Sequence, residues 1–379
     1  MNNKKSILAA LVGLALLAGC SQAPDGADKH SGLALANMDT SVKPGDDFFR
    51  YVNGHWLSTA KIPDDRPADG AFYMLRDKSL ADVRVLVEGL DGKAAAGTPA
   101  QQIHDLYQSY LDQTTRNAKG TAPLMPMLSE IEQIRTPQDL ARAFAQSGRN
   151  GGGAPFGFWV DADAKAPDSY AVYLYQAGLG LPDRDYYLKT DAASQALRQK
   201  YEQHIATMLG RFGEADAGAK AKRILALESK LARIQWDNVT LRDREKNYNK
   251  GSQSELKRLA PAIDWNAYLT QAGLAGQSSL IIGQPTYLAA LNEVMQQTPV
   301  GDWQAYLKWH LITDYAPYLD SQTDAQNFAF FGTTLSGTPK QRAPWERALG
   351  VLDDHLGEAV GKLYVERYFP PQAKARMEQ

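Results

Sequence analysis

Hydrophobic and polar positions follow the helical period over most of this chain of 379 residues. Apolar residues recur three or four positions apart, the spacing that places them on one face of a helix. The sets are Ile103, Leu106, Tyr107, Tyr110 and Leu111; Leu197, Tyr201, Ile205, Met208, Leu209 and Phe212; Ile224, Leu227, Leu231 and Ile234; and Trp303, Tyr306, Leu307, Leu311 and Tyr315. The pattern predicts a succession of helices from about Thr98 onward.

Capping sequences mark where several of these helices begin. Thr98 and Thr136 each stand before a proline, with a capping partner three positions further on, and Ser252 precedes Glu255 at the same spacing. Gly148 is the predicted end of the helix that Thr136 opens.

One segment follows a different pattern. "FGFWVDADAKAPDSYAVYLYQA", residues 156–177, has two runs of aromatic and β-branched residues around a polar turn that contains proline. Such a pattern is typical of a β-hairpin. The predicted fold is therefore mainly α-helical and multi-helical, with a small β-hairpin element, in one globular unit from about residue 41.

The N-terminus predicts export and lipidation. Lys4 and Lys5 precede an apolar run that is shorter than the about 20 residues needed to span a membrane, as in a secretion signal. The run ends in "LAGC", residues 17–20, which resembles the bacterial lipobox. That resemblance implies a signal peptide at 1–19 and a lipid on Cys20. The stretch after Cys20 is small, polar and aperiodic, which predicts a flexible tether at 20–40 before a folded domain at 41–379. An ordinary signal peptide that happens to contain a cysteine is the alternative.

Charge and cysteine content exclude several classes of protein. The net charge is −2, from 41 cationic and 43 acidic residues, without the basic stripe of a nucleic-acid binder. Cys20 is the only cysteine. The folded domain therefore has no disulfide, no thiol nucleophile and no cysteine ligand for a metal.

The residues alone do not predict a reaction. None of the six histidines begins His-Glu-x-x-His, and His355 with Glu358 is interpreted as a solvated helix face. His104, His204 and His310 are interpreted as core histidines. The chain lacks a Gly-x-Ser-x-Gly elbow, and "NGGGAP" lacks the ending of a phosphate loop. A carbohydrate enzyme with two catalytic acids stays open, because spacing along the chain does not show which acids face each other.

Four blocks, in order along the chain, resemble the neprilysin-like zinc metallopeptidases. They are "DFFRYVNGHW" with Ile62, Pro63, Gly70, Phe72, Leu75 and Arg76; "GLGLPDRDYYL" at 178–188; Tyr248 and Asn249 with Leu256; and "LSGTPKQRAPWERAL" with "LGEAVGKLYVERYF" at 335–369. The order and spacing of the blocks carry the resemblance.

The resemblance implies zinc-dependent hydrolysis of peptides and oligopeptides. In the family, a helix with His-Glu-x-x-His and a downstream glutamate hold the zinc, and a helical domain covers the cleft. Those zinc elements follow the matched part and do not occur in the 379 residues. We therefore expect this chain to form an N-terminal lid and cleft wall that is truncated before the zincin catalytic domain. By itself, the chain is expected to bind no zinc and to cleave nothing. The helix that begins at Pro371 is expected to continue into a catalytic half of the same polypeptide.

The same resemblance predicts substrate-binding residues. Phe72 falls on a position that forms an apolar pocket for the side chain after the cut, and Arg76 on one that helps hold peptide backbone or a terminal carboxylate. The family's principal arginine aligns with Ala68, and Arg66 is the nearest substitute. No catalytic residue and no metal ligand is predicted in this chain.

The family resemblance leads to two hypotheses of function. The first is the lid and cleft wall of a lipid-anchored peptidase that faces the periplasm or the cell exterior. Ser21 after Cys20 favours the outer membrane, by resemblance to Gram-negative sorting. The second is a stand-alone, non-catalytic lipoprotein that binds peptides.

Overall fold

The computed structural model describes residues 33–379. The predicted signal peptide, Cys20 and most of the predicted tether lie outside these residues. The described residues belong to two compact units, divided between Ile62 and Pro63. The first contains a short 3₁₀ helix, Leu35–Asn37, and helix α1, Phe48–Thr59, whose first turn is capped by Asp47.

Packing within the first unit explains why position 54 is glycine. The backbone N–H of Asp39 donates to the carbonyl of Tyr51 at 2.9 Å. A Cβ on Gly54 would lie 2.5 Å from the Cβ of Asp39, closer than side chains approach. Only glycine at position 54 lets this segment lie against α1, so ordered structure begins inside the span predicted as a tether.

The second unit is built mainly from helices, which confirms the predicted fold class. They are α2 Ala71–Glu88, α3 Pro99–Leu111, α4 Gln113–Lys119, α5 Met125–Glu132, α6 Pro137–Asn150, α7 Asp185–Leu188, α8 Ala192–Arg211, α9 Ala217–Ile234, α10 Gln253–Leu259, α11 Trp265–Gln271, α12 Pro285–Gln297, α13 Val300–Tyr315, α14 Ser321–Phe328, α15 Pro344–Tyr368 and α16 Pro371–Met377. A π-helical segment, Ala329–Leu335, continues α14. Within residues 33–379, no helix has both the length and the apolar character that crossing a membrane requires.

Helix α6 shows how local sequence sets a helix boundary. The hydroxyl of Thr136 accepts from the N–H of Asp139 at 3.1 Å, and the carboxylate of Asp139 accepts from the N–H of Thr136 at 3.0 Å. This reciprocal capping confirms the predicted start. The predicted stop at Gly148 is wrong, because α6 continues to Asn150 and ends at Gly151, whose φ of 76° favours glycine.

A four-stranded sheet contains the predicted hairpin. Strands β1, Phe156–Asp163, and β2, Ala166–Gln176, pair antiparallel, as the sequence pattern predicts. Strand β4, Leu280–Ile282, lies parallel to β2, and β3, Lys250–Gly251, lies antiparallel to β4. Segments of two and three residues are too short to show an alternating pattern, so the sequence does not predict β3 and β4.

Two of the three hydrophobic cores meet along α13. Trp303, Tyr306 and Leu307 contribute to a core with α6, α11, α12 and the sheet, whereas Trp309, Leu311 and Ile312 pack with α8 and α9. All residues from Ala305 to Ile312 are buried. The sequence predicted a single apolar stripe on this helix, but α13 is buried on all sides and lies at the centre of the second unit.

Helices α2, α3 and α15 form a third core, and a polar cluster joins it to α13 and α14. Arg347 on α15 makes two hydrogen bonds to the carboxylate of Asp324 on α14, at 2.7 and 2.8 Å. Arg116 on α4 donates to the carbonyls of Pro317 and Leu319, both at 2.7 Å. Both guanidinium groups also lie near the ring of Tyr110, at 4.7 and 5.7 Å from its centre. We call Tyr110, Arg116, Asp324 and Arg347 the inter-core joint.

Candidate functional site

The predicted substrate-binding residues lie at the beginning of α2. Phe72 is 88% exposed and Leu75 is 62% exposed. Phe72, Leu75 and Arg76 stand at positions i, i+3 and i+4, so they share one side of the helix. We call these three residues the α2 face. Large apolar side chains exposed together mark a contact surface for a ligand or a partner.

Arg76 adds an available charge to this apolar surface. Its guanidinium carbon lies 5.2 Å from the ring centre of Tyr73, which orients the side chain. The described residues give Arg76 no carboxylate partner. A guanidinium presents a planar fork of N–H donors that suits a peptide carbonyl or a carboxylate. The α2 face can therefore hold an apolar side chain and a neighbouring polar group together.

The structure places Arg66 close to Arg76 but in a different environment. The side chain of Arg66 is only 11% exposed, and its guanidinium pairs with Asp77 at 2.7 Å and Asp69 at 3.4 Å. The hydrogen bond to Asp77 raises the pKa of Arg66. These contacts fix the loop before α2, so the charge of Arg66 is already balanced. Its role in binding a carboxylate stays a prediction.

Tyr73 is a residue of the site that the sequence analysis missed. Its ring centre lies 5.3 Å from the guanidinium carbon of Arg66 and 5.2 Å from that of Arg76, so it links the two arginines. An aromatic residue three positions before an arginine on a helix was the available signal, because such residues are neighbours.

Two of the three histidines predicted to lie in the core are buried there. His310 is buried and its Nε2 lies 2.9 Å from Glu228, and His204 is buried beside the ring of Phe330. His104 is only partly buried on α3, with its side chain 26% exposed and its Nδ1 3.1 Å from Asp105.

The described residues do not form a metal centre. Between residues 33 and 379, no three histidine, cysteine, aspartate or glutamate side chains come together in a way that fits a metal ion. His355 and Glu358 are exposed on α15, in agreement with a solvated helix face. These residues do not fit a catalytic zinc, and we derive no chemical step through zinc on them. That the chain binds no zinc stays a prediction.

Comparison with known proteins identifies the family. The model of "Peptidase family M13", in its N-terminal part, matches residues 44–379. The chain belongs to peptidase family M13. The match confirms the resemblance to neprilysin-like enzymes, and it places the helical fold described above in the helical part of that family's structure.

Relatives show how much of an M13 protein this chain represents. Endothelin-converting enzyme 1 of Rattus norvegicus is 27% identical over 356 residues, which cover 90% of this chain and 46% of the relative. Endothelin-converting enzyme-like 1 of Homo sapiens is 25% identical over 402 residues, which cover 99% of this chain and 52% of the relative. The chain thus spans about half the length of these relatives.

Solved structures agree with the assignment. The inhibitor complex of the zinc metalloprotease Zmp1 of Mycobacterium tuberculosis has a TM-score of 0.86 at 37% identity, covering 92% of this chain and 53% of Zmp1. PepO of Lactobacillus rhamnosis has a TM-score of 0.75 at 22% identity, covering 89% of this chain and 54% of PepO. The second likeness concerns the fold alone.

Proposed function

We propose that this chain supplies the helical, substrate-facing part of an exported, zinc-dependent M13 endopeptidase that hydrolyses peptides and oligopeptides. The family match over residues 44–379 carries the proposal. Its relatives include endothelin-converting enzymes and a zinc metalloprotease. Zinc is the metal expected for the family.

Within that enzyme, residues 41–379 act as the lid and one wall of the substrate cleft. The zinc ligands and the general base come from a part of the polypeptide beyond these residues. The share of each similar protein that the chain matches, from 46% to 54%, supports the placement of the zinc site in another part of the polypeptide.

The contribution of this chain is binding and orientation. Phe72 offers an apolar surface to the side chain that follows the scissile bond, and Arg76 donates hydrogen bonds to the peptide beyond it. Arg66 holds the loop before α2 in place through Asp77. The chemistry that zinc would supply, activation of water and polarisation of the carbonyl, would come from a part of the enzyme other than these residues. Fixing the peptide next to that centre lowers the entropic part of the barrier.

The proposal is tested by reading the coding sequence beyond codon 379 and assaying its product. We expect an open frame that reaches His-Glu-x-x-His, and a product that cleaves an internally quenched peptide. A chelator should abolish the cleavage and added zinc should restore it. The 379-residue chain alone should cleave nothing. Chelator-sensitive hydrolysis by this chain alone would contradict the proposal that the zinc site lies in another part of the polypeptide.

A stand-alone peptide-binding lipoprotein is the second candidate. The exposed Phe72 and the available charge of Arg76 favour it, because both can bind a peptide without any chemistry. A stop codon directly after residue 379, together with peptide binding that is independent of zinc, would support this function instead.

We also propose that the protein is exported, cleaved after residue 19 and anchored to a bacterial membrane by a lipid on Cys20, facing the periplasm or the cell exterior. The lipobox-like "LAGC" and the apolar run before it support this proposal. Labelling with an alkyne fatty acid should modify the wild-type protein and leave Cys20→Ser unlabelled and outside the membrane fraction. Equal labelling of the two proteins would refute lipidation at Cys20.

A further inference from the structure

A second concave surface lies between the third core and the end of α13, inside the second unit. It is a cavity of about 790 Å³, within the range of about 300–1,000 Å³ that ligand pockets occupy. Its walls include Leu106 and Tyr110 on α3, Arg149 on α6, Asp314 and Tyr315 at the end of α13, Tyr318 in the 3₁₀ turn that follows, and Val351 and His355 on α15. We call it the tyrosine cleft.

Tyrosine side chains supply apolar surface and hydrogen-bonding groups to this cleft. The ring of Tyr318 lies edge-on to Tyr110, with 6.2 Å between centres, and 6.3 Å from Tyr315. The hydroxyl of Tyr315 donates to the carbonyl of Asn150 at 2.7 Å, which fixes that wall. Among the described residues, the hydroxyl of Tyr318 has no hydrogen-bond partner, and Tyr318 is 40% exposed, so this hydroxyl is available to a ligand.

The charge of Arg149 determines which ligand the cleft suits. Arg149 is exposed, and no carboxylate of residues 33–379 pairs with it. Arg116 also lines the cleft, but it is less available to a ligand because its N–H groups already donate to backbone carbonyls. The carboxylate of Asp314 also lines the cleft, but it already accepts from the N–H of Gly152. The available charge is therefore the guanidinium of Arg149, next to the apolar surface of Leu106 and Val351. A carboxylate next to an apolar side chain complements that combination.

The shape indicates an extended ligand rather than a compact one. A neighbouring cavity of about 340 Å³ shares Ser109, Arg116, Tyr315 and Tyr318 with the tyrosine cleft. The two cavities thus adjoin around Tyr318, and a peptide in an extended conformation can follow both.

We propose that the tyrosine cleft is a second peptide-binding site, separate from the α2 face, which takes a segment with an apolar residue followed by an acidic one. The acidic side chain pairs with Arg149, and the apolar one packs against Leu106, Val351 and the tyrosine rings. No covalent step takes place there. The proposal rests on the proposed function for the class of ligand, a peptide, and goes beyond it in the site and in the sequence preference.

The test uses the 379-residue chain in detergent, with a chelator present to exclude any zinc-dependent cleavage. Fluorescence anisotropy measures binding of a fluorescein-labelled glycine-serine peptide with a central Leu-Glu pair, and of its Leu-Gln counterpart. We expect the Leu-Glu peptide to bind about tenfold more tightly, a typical effect of one charge-assisted contact. Arg149→Ala should remove the difference, and Tyr318→Ala should weaken binding of both peptides.

Arg142→Ala is the matched control. Arg142 lies on the same helix, is exposed, pairs with Asp139 at 3.7 Å and does not line the tyrosine cleft, so its removal should leave both affinities unchanged. The proposal is overturned if the wild-type chain binds neither peptide, or if Arg149→Ala keeps the preference for Leu-Glu. It is also overturned if Phe72→Ala or Arg76→Ala abolishes binding that Arg149→Ala leaves intact. None of these outcomes affects the zinc-dependent hydrolysis that tests the proposed function.

Discussion

Phe72 combines a large apolar side chain with 88% exposure, whereas Phe144 on α6 is 1% exposed. The two residues have the same chemistry in opposite environments. Burial of a phenylalanine stabilises the fold, and exposure of one does not, so packing does not explain the position of Phe72, whereas the proposed contact with a peptide would.

Phe72→Ala should therefore separate function from stability. The free energy of unfolding should change by less than about 0.5 kcal/mol, as for most surface substitutions. In the zinc-dependent enzyme, KM for peptides should rise several-fold. Phe144→Ala is the contrasting variant, and its cavity should cost about 3–5 kcal/mol. Urea unfolding and peptide kinetics check both, and a large loss of stability in Phe72→Ala would contradict exposure of this side chain.

His204 gives the fold a pH-dependent contribution. Burial lowers the pKa of His204 from its ordinary value of 6.5 to about 4. Its ring stacks on Phe330, and its Nδ1 has no hydrogen-bond partner among the described residues. Between these two values the unfolded chain binds a proton that the folded chain does not. Stability therefore falls as pH falls through this window, and it is fully retained above pH 6.5.

We expect the wild-type protein to lose about 2 kcal/mol more stability than His204→Phe between pH 7 and pH 5, since each pH unit inside the window is worth about 1.4 kcal/mol. Urea unfolding of the two proteins at pH 7, 6 and 5 measures the difference, in which the contributions of other titrating groups cancel. Parallel pH profiles would show that His204 is not buried in its neutral form.

A buried carboxylate explains why the "LPDRDYYL" block contains Tyr187. Glu228 on α9 is fully buried and accepts hydrogen bonds from the hydroxyls of Tyr187 at 2.7 Å and Tyr201 at 3.2 Å. Tyr187 also accepts from the N–H of Leu181 at 2.8 Å. Burial raises the pKa of both tyrosines well above the ordinary value, so they remain donors. This part of the family resemblance therefore specifies the fold rather than a reaction.

At the scale of elements, caps and glycines set where helices begin and end. The start of α6 is encoded by Thr136 and Asp139, which are close in the sequence and interact locally. Its end depends on Gly151, whose neighbour Gly152 donates its N–H to Asp314 on α13. That contact joins residues far apart in the sequence, which explains why Gly148 was the wrong stop.

Thr136→Ala should destabilise the protein by about 1 kcal/mol, because it leaves an N–H of the first turn without its capping acceptor. Gln138→Ala, at an exposed position of the same turn, should leave stability nearly unchanged. Chemical unfolding of both variants tests the cap. Equal effects would indicate that tertiary packing alone determines this helix start.

At the scale of the whole molecule, the inter-core joint connects the third core to the rest of the second unit. Asp324 is buried, and Arg347 neutralises it through two hydrogen bonds. Because α2 belongs to the third core, this connection also supports the α2 face.

Arg347→Ala should cost about 3–5 kcal/mol, because it leaves a buried carboxylate without its partner. Arg367→Ala, an exposed arginine near the end of α15, is the matched control and should have little effect. Unfolding followed by tryptophan fluorescence and by circular dichroism also tests cooperation between the cores. Transitions that coincide in the wild type but separate in Arg347→Ala are expected, and a small loss with coincident transitions would contradict the role of the joint.

The sequence by itself determined the mainly helical fold, the hairpin and the peptidase family. Helical periodicity, capping residues and ordered motifs are read from neighbouring positions, so they need no knowledge of contacts. Only the tertiary structure decided that α13 is buried on all sides, that Arg66 is paired with Asp69 and Asp77, and that Tyr73 links two arginines. The tyrosine cleft belongs with these. Its walls come from segments around residues 106, 149, 318 and 351, and packing, which periodicity does not report, brings them together.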